Sequence, residues 1–395
     1  MRIITMERPR RWLVVFAAVC ACACARPTLP ERWIDPEPWS IPFPEGTPVL
    51  RHEPVPTDSP NRTLIELVEE LVIGGDENEY AFHALFPRVV ADEAGQIFAM
   101  DGGNRRIQVY GPDGNYLRTI GRSGNGPGEF SNVALIARVG NQLATHELST
   151  EYLSLFSVDG TYQRRVPAPR SSFRIIGDAP GFLVQHTTVL RDIAMLSLIS
   201  GEGEMADLIG VKKGDPPTYP LGRGRLPLRA VSQVTELTEA HGDVFYLAGT
   251  EGYEVAAFNA NRELTWVLRL EWPQLPLTED ERRYVLGFMN NAGLPITTED
   301  IDWPSHLPAL AWIRSDGEGR LYVFPAIEAR REPADDESKL RPVDVYDKEG
   351  NLLLNGVIKL ARWEWQAAVG NLIYGTRVDP ATGEWQLVRH RLVLR

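Results

Sequence analysis

The sequence predicts an all-β fold: a six-bladed β-propeller of four-stranded antiparallel blades, closed by an N-terminal strand and carrying a short helical insertion. Three observations support this prediction. A glycine followed by a short apolar run recurs six times, a turn marked mostly by Gly with Asp or Glu recurs five times, and one apolar segment near the N-terminus is left over. Propellers are built from such successive four-stranded sheets.

The best-preserved repeat lies between Gln96 and Phe130. Two short runs rich in apolar residues, 97–100 and 107–110, are followed by a third run at 116–120. Gly, Asp and Asn occupy the turns between these runs, and glycine adopts a positive φ at little steric cost. Alternation with a period of two, bounded by such turns, predicts three consecutive antiparallel strands.

Spacing identifies the other copies of this repeat. The glycines that precede an apolar run are Gly95, Gly140, Gly181, Gly242, Gly319 and Gly370. The turns that precede an outer strand lie at 113–114, 159–160, 202–203, 259–261 and 348–350. Because there are five turns for six glycines, the last unit lacks an outer strand. The segment Thr63–Gly74 resembles the other outer strands and is predicted to close the ring.

An insertion, roughly Trp272–Pro308, separates the fourth and fifth units. Thr278 and Glu281 offer a capping box at the head of a helix that extends through about Asn290. Tyr284, Val285, Phe288 and Met289 give this helix an apolar face. We expect the face to dock on the propeller; a lid or a partner-binding role is the alternative.

The first residues predict export. Arginines at 8, 10 and 11 precede the apolar run Trp12–Val19 and a stretch of small residues, so 1–24 is assigned as a signal peptide. The segment also resembles a bacterial lipoprotein signal, which implies lipidation at Cys22, with Cys20 and Cys24 as neighbours. Cleavage after Ala25 without lipidation is the alternative. Either way the protein is expected in the cell envelope, anchored by lipid or periplasmic or secreted.

The predicted domains follow from composition. Ten prolines lie within 26–62, so residues 25–62 are assigned as a Pro-rich linker. Residues 63–395 are assigned as the propeller. The three cysteines all lie in 20–24, so the remainder of the chain has no disulfide and no thiolate metal site. The formal net charge of −12 and the lack of a basic face argue against a nucleic-acid partner.

One stretch carries a family resemblance. The residues Val90–Asp92, Gly95–Asp101 and Asn104–Tyr110, followed by Gly124–Phe130, resemble an NHL repeat. The chain therefore looks like the bacterial six-bladed propeller lipoproteins of the NHL/TolB-like kind. That resemblance implies the fold, while propellers of this kind include binding scaffolds, lyases and sugar-lactone hydrolases.

Two motifs invite a chemical interpretation. Asp101, His146 and His186 take similar places in three consecutive units, and two histidines with a carboxylate could bind zinc or iron. That place lies at the end of the second strand, away from the channel, so we assign no metal and no cofactor. The glycine-rich loop 121–130 lacks the Lys-Ser/Thr ending of a P-loop and is predicted to be a connector, with Phe130 buried between blades.

The candidate ligand site is one mouth of the central channel. The strands predicted to line the channel are Pro87–Asp92, Asn132–Val139, Ser172–Asp178, Ala230–Leu237, Ala309–Ser315 and Trp363–Val369. Near the starts of these strands lie His83, Arg88, Arg170, Arg174 and Arg229. Converging arginines would form an anion or carboxylate site; alternatively each pairs with a nearby acid.

These observations lead to two functional hypotheses. The first is a non-catalytic, envelope-exposed propeller that binds a protein, peptide or glycan across one mouth, with membrane contact only through an N-terminal lipid. The second is a metal-dependent lyase or lactonase-type hydrolase that uses the channel. The sequence contains no specific catalytic signature, which favours the first.

Overall fold

A computed structural model describes residues 45–394, apart from short gaps. The gaps are 58, 75–81, 84–87, 148–149, 171, 179–180, 188–192, 213–217, 222–223, 228–236, 243, 250–251, 260, 262, 274, 292–295, 302, 327–339, 361–363 and 380. The predicted signal peptide, Cys22 and Arg229 lie outside the described residues. Within the described part, no helix has the length and apolar character needed to cross a membrane.

The protein is all-β, as predicted, and its strands form successive units. Units 1, 2 and 3 are separate four-stranded antiparallel sheets, unit 4 carries a fifth strand, and units 5 and 6 share one eight-stranded sheet. Unit 1 contains β3 (Arg88–Ala91), β4 (Ile97–Asp101), β5 (Arg106–Tyr110) and β6 (Tyr116–Ile120). Unit 2 contains β7 (Val133–Val139), β8 (Gln142–Glu147), β9 (Tyr152–Ser157) and β10 (Tyr162–Pro167). Unit 3 contains β11 (Ser172–Asp178), β12 (Gly181–Thr187), β13 (Ile193–Ser200) and β14 (Met205–Lys212).

The second half of the chain follows the same plan. A hairpin, β15 (Thr218–Leu221) and β16 (Gly224–Pro227), precedes unit 4, which contains β17 (Leu237–His241), β18 (Val244–Gly249), β19 (Tyr253–Phe258) and β20 (Leu264–Leu270). Unit 5 contains β21 (Leu310–Ser315), β22 (Leu321–Pro325), β23 (Leu340–Tyr346) and β24 (Leu352–Lys359). Unit 6 contains β25 (Ala367–Val369), β26 (Leu372–Val378) and β27 (Trp385–Val393).

The left-over N-terminal segment is strand β2 (Thr63–Gly74), and it pairs with two units. From Glu66 to Gly74 it runs antiparallel to β27, as predicted, and supplies the outer strand of unit 6. Its first three residues, Thr63–Ile65, run parallel to β24 of unit 5. One strand therefore joins the outer edges of two neighbouring sheets, an arrangement that a search for repeats alone does not predict.

The residues just before β2 also contact the sheets. Strand β1 (Val49–Leu50) adds to the outer edge of unit 4, parallel to β20. Arg62 forms a buried ion pair with Asp344 at 3.0 Å and donates to the carbonyls of Val343 and Gly356. Removing one partner of such a buried pair leaves an uncompensated charge, which makes this contact a strong constraint on the chain path.

Neighbouring units are joined by a recurring donor. Three side chains occupy equivalent places on the outer strands and donate to the backbone carbonyl of the same turn in the next unit. They are Arg118 to Val158, Arg164 to Gly201, and Trp266 to Lys348 at 3.0 Å. These contacts span about 40 residues or more of sequence, so they tie one sheet to the next.

The first strands of the units pack against one another in chain order. Contacts join β3 to β7, β7 to β11, β11 to β17, β17 to β21, and β25 back to β3. A backbone bond from Gly317 to Gly370 at 3.0 Å links unit 5 to unit 6. The inner strand predicted for unit 4 lies outside the described residues except for Leu237, where strand β17 (Leu237–His241) begins.

The insertion has its own small core. Helix α1 (Glu279–Asn291) begins where the sequence predicts, because the Thr278 amide donates to the Glu281 carboxylate and the Glu281 amide to the Thr278 hydroxyl. A short 3₁₀ turn follows at Thr298–Asp300. The buried residues of the helix pack on others of the same insertion, namely Leu277, Ile296, Ile301 and Leu307. The expectation that this face docks on the propeller is therefore wrong for the described residues: the insertion forms its own hydrophobic cluster.

Candidate ligand-binding face

Apart from Arg229, which is not described, the side chains singled out by sequence lie toward one end of the units, which we call the entry face. It is the end at which the inner strands begin. In unit 1 it comprises the start of β3 at Arg88, the turn 101–106 and the loop 121–132, which leads to unit 2. The opposite end carries the turns 111–115 and 157–161.

Strand register corrects the predicted equivalence of three polar residues. In units 1, 2 and 3 the third strand ends in the same hydrogen-bonded turn, so that Tyr110, Phe156 and Ile199 correspond. These residues pair with Ile97, Leu143 and Phe182 on the second strands. Four residues after Ile97, Leu143 and Phe182 lie Asp101, Glu147 and His186, which therefore correspond to one another. His146 corresponds instead to Met100, a core residue. The number of residues between the repeated glycine and the second strand differs from unit to unit, so equal spacing from the glycine does not give equal positions.

Asp101 is fully buried and holds the backbone of the entry face. Its carboxylate accepts hydrogen bonds from the His83 amide at 3.1 Å, from the Asn104 side chain at 2.7 Å and from Arg106 at 3.1 Å. Carboxylates at such places satisfy loop amides that would otherwise be buried without a partner. Asp101 thus fixes both the turn after β4 and the chain that leads into β3.

Glu147 does the same for unit 2. Its Oε2 accepts hydrogen bonds from the amides of Ser131 and Asn132 at 2.7 and 3.0 Å, and from the Ser131 hydroxyl at 2.5 Å. These residues lie just before β7, so the carboxylate again anchors the loop that enters the inner strand. Both carboxylates are occupied by the protein itself, and this role makes the face a fixed surface.

His146 lies in the core between strands. Neither ring nitrogen has a hydrogen-bond partner of normal geometry among the described residues, and the side chain is fully buried. Burial lowers its pKa below the ordinary value, while the nearby backbone of Pro169 and Thr150 and the charge of Glu147 act in the opposite direction more weakly. The imidazole is therefore neutral at physiological pH.

His186 and Ser197 form the buried serine–histidine pair of unit 3. The distance from His186 Nε2 to Ser197 Oγ is 2.8 Å. Ser197 has no exposed surface and His186 is 8% exposed, so a substrate carbonyl has no access to this hydroxyl. Nucleophilic catalysis requires such access, and the pair is therefore structural.

The five predicted site residues do not share one environment. His83 is exposed, Arg88 and Arg174 are half-buried on inner strands β3 and β11, and each of these two arginines already has an interaction partner. Arg170 is exposed and pairs with exposed Glu151 at 3.5 Å. The local pairing that sequence reasoning left open thus applies to Arg170, while Arg229 lies outside the described residues.

Sequence reasoning missed Arg105, which the structure places at the edge of this face. Its side chain is exposed and its Nη1 donates to Ser123 Oγ in the glycine-rich loop at 2.9 Å. The loop itself is an ordered connector with Phe130 fully buried, as predicted. Arg122 and Glu129 in the loop form an ion pair at 2.8 Å. In the described residues, no group of three or more His, Cys, Asp or Glu is arranged to hold a metal ion.

Comparison with known proteins shows the class of fold. A member of the DUF4221 family from Bacteroides vulgatus superposes with a TM-score of 0.52 at 10% identity, over 85% of this chain and 99% of that chain. At this identity the likeness shows the fold alone, that of a propeller-like protein. The chain therefore belongs to the class of β-propellers.

More distant similarities were also found. A putative exported protein from Bacteroides fragilis aligns with a TM-score of 0.47 at 12% identity, covering 88% of this chain and 99% of that chain. The virginiamycin B lyase of Staphylococcus aureus aligns with a TM-score of 0.39 at 9% identity, covering 83% and 100%. No protein-family model and no curated protein sequence matches the chain.

Proposed function

We propose that this chain is an exported, six-bladed β-propeller that binds a protein, peptide or glycan ligand at its entry face without catalysing a reaction. One observation carries the proposal: the buried carboxylates Asp101 and Glu147 are used to fix the loops of this face. A surface held in this way is preorganised, which lowers the entropic cost of binding.

The six-bladed ring is supported by packing and closure. The inner strands contact one another in chain order, and β25 returns to β3. The amide of Val89 in unit 1 donates to the Gln366 side chain before β25 at 3.1 Å. Closure by β2, which completes unit 6 from the N-terminal side, is the device by which rings of this type protect their sheet edges.

Export is supported by the sequence that precedes the described residues. A basic, apolar and small-residue order is the pattern of a signal peptide, and the cysteine cluster supports lipidation at Cys22. The Pro-rich segment that follows would separate a membrane anchor from the propeller. The described end of that segment, from Pro48 onward, contacts units 4 and 5.

A binding role is favoured over catalysis by the state of the polar groups. The buried serine–histidine pair has no access to substrate, and the buried carboxylates of units 1 and 2 are engaged by loop amides. A lyase or lactonase would need free ligands or an accessible acid and base. This second hypothesis remains a prediction, which the metal content of the purified protein would test.

The test is a binding screen with paired charge reversals. The protein without residues 1–25 is applied to peptide and glycan arrays, together with Arg122→Glu on the entry face and Lys348→Glu on the opposite face. Both side chains are mostly exposed, so both variants should fold. We expect Arg122→Glu to weaken the bound spots and Lys348→Glu to leave them unchanged. Equal loss in both variants, or loss only with Lys348→Glu, would contradict an entry-face site.

A further inference from the structure

Arg105 holds an unusual backbone conformation. Its φ is 57°, and it is the one non-glycine residue with positive φ among those the structure describes. A side chain in this left-handed region is disfavoured by contact between Cβ and the backbone. Residues of this kind persist where the surrounding structure enforces them, and they concentrate at functional sites.

The turn around Arg105 supplies that enforcement. Asp101 binds the Asn104 amide and side chain on one side of Arg105 and the Arg106 guanidinium on the other. The neighbouring Gly103 approaches the His83 carbonyl so closely that a Cβ would lie 1.6 Å from the oxygen. The strained residue is therefore locked between fixed neighbours, with its side chain directed to the Ser123 hydroxyl.

The guanidinium of Arg105 has donors to spare. Among the described residues it donates to Ser123 Oγ at 2.9 Å, whereas a guanidinium carries five N–H donors in a planar fork. Nearby arginines are neutralised: Arg106 pairs with Asp101 and Arg122 with Glu129. No acidic partner of Arg105 is found within the described part of the chain, which favours Arg105 over Arg106 and Arg122 as the group that meets an anionic ligand.

Arg105, Ser123 and the loop 121–130 form the part of the entry face that we call the rim. The loop shows which chemistry this rim favours. The Glu129 carboxylate accepts hydrogen bonds from the Gly126 amide at 2.9 Å and from Arg122 at 2.9 Å. The backbone amide of Gly126 first, and then Arg122, hold the pKa of Glu129 below its ordinary value. Arg165 fixes the same loop through the Gly126 carbonyl at 3.4 Å. An oxyanion from the protein itself thus already occupies one part of the rim.

We propose that Arg105, with Ser123 beside it, binds an oxyanion of the ligand, either a carboxylate or a phosphate. This inference rests on the proposed function and adds the charge of the ligand group to it. Arginine is suited to both groups because its planar fork can donate two parallel hydrogen bonds. In this proposal the positive φ of Arg105 is maintained because it places the guanidinium beside Ser123 of the loop.

Binding of two simple anions tests the proposal. Tripolyphosphate and citrate are titrated by calorimetry at low salt into the protein without residues 1–25, into Arg105→Gln and into the control Arg283→Gln. Arg283 is an exposed arginine on α1, so its replacement makes the same change in charge far along the chain. We expect about tenfold weaker binding of at least one anion with Arg105→Gln and wild-type binding with Arg283→Gln. The anion that responds identifies the ligand group.

A second variant separates binding from folding. Arg105→Asn keeps a residue that tolerates positive φ and removes the charge, so its melting temperature should stay within about 2 °C of wild type while binding falls. No binding of either anion to the wild type, or equal weakening in Arg283→Gln, overturns the inference. A neutral glycan or peptide bound at the entry face with no dependence on Arg105 would overturn it too, and would leave the proposed function standing.

Discussion

At the scale of single residues, the polar side chains of units 1 and 2 divide into anchors and one exception. Asp101 and Glu147 are buried but fully used, since each holds the loop that enters its own inner strand. His146 is buried, and no described residue makes a hydrogen bond of normal geometry with its ring, which lies at the place that Met100 occupies in unit 1. Burying a polar ring without a hydrogen bond costs free energy, so this position is a weak point of the core.

Replacing His146 should therefore stabilise the protein. His146→Met removes the unpaired nitrogens and introduces the residue that unit 1 carries at the same register. We expect the free energy of unfolding to rise by about 1 kcal/mol at pH 7.5, measured by urea denaturation. His186→Met, which removes a histidine that bonds Ser197, is the matched control and should destabilise. A loss of stability in His146→Met would show that the ring has a partner essential to the fold.

The same histidine predicts a pH dependence. Burial depresses the folded-state pKa of His146 below the unfolded value of about 6.5. As pH falls through that value the unfolded chain takes up a proton first, so stability is full above about pH 6.5 and declines below it. Burial also lowers the pKa of His390, which therefore adds to the loss of stability at low pH. The drop between pH 7.5 and 5.5 should be smaller in His146→Met, and an equal drop would exclude His146 as a contributor.

At the scale of elements, the N-terminal strand β2 is predicted to contribute most to the melting temperature. Strand β2 pairs with β27 over most of its length and with β24 at its start, so its removal exposes the edges of two sheets. Deleting 63–74 should lower the melting temperature sharply, because an open ring loses both the pairing and the cooperativity of closure. An unchanged melting temperature, measured by calorimetry, would refute the closing role of β2.

Truncation before residue 63 is the control for this deletion. It keeps β2 and removes β1 together with the buried Arg62–Asp344 pair. Stability should fall by about 3–5 kcal/mol, the range for breaking a buried ion pair. The ring should nevertheless stay closed, with a single cooperative transition. Two transitions in the truncated protein would show that the segment before β2 also takes part in closure.

The elements that sequence could predict are those with local signals. The strands of unit 1 and the start of α1 follow from alternation, turn residues and a capping box, whereas the pairing of 63–74 with the last unit followed from counting the repeats. The docking of α1 was predicted wrongly, because its partners Ile296 and Leu307 lie within the insertion and an apolar helix face does not specify what covers it. The place of His146 was misassigned because the turns before β4 and β8 differ in length.

Contacts between units were not predicted. Arg118 and Arg164 share one spacing, Asp-Gly-x-Tyr-x-Arg at 113–118 and 159–164, but Trp266 takes the same structural position in unit 4 and all three acceptors are backbone carbonyls. The candidate site shows the same limit. Arginines near the inner strands were predicted. Arg105 is distinguished by its positive φ and by having no acidic partner among the described residues, and only the folded chain reveals these two properties. Periodicity predicts sheets, but the surface of a rim depends on which charges the fold neutralises.

At the scale of the whole molecule, the distribution of charge fits the proposed binding of an anionic group. The chain is acidic, with a formal net charge of −12, yet the rim of unit 1 presents an arginine without an acidic partner in the described residues. A local positive site in an acidic protein attracts an anionic group without making the whole surface bind polyanions. The ordered loops of the entry face hold this site in place.

The most direct measurement is the metal content of the purified protein without residues 1–25. Elemental analysis after dialysis without chelator distinguishes a binding propeller from a metal-dependent enzyme, because an enzyme of that kind must retain its ion at a fixed site. The account predicts zinc, calcium and iron well below one ion per chain. One ion per chain would contradict the account, and its loss when His83 is replaced, the one predicted site residue that can ligate a metal, would place the ion at the channel mouth.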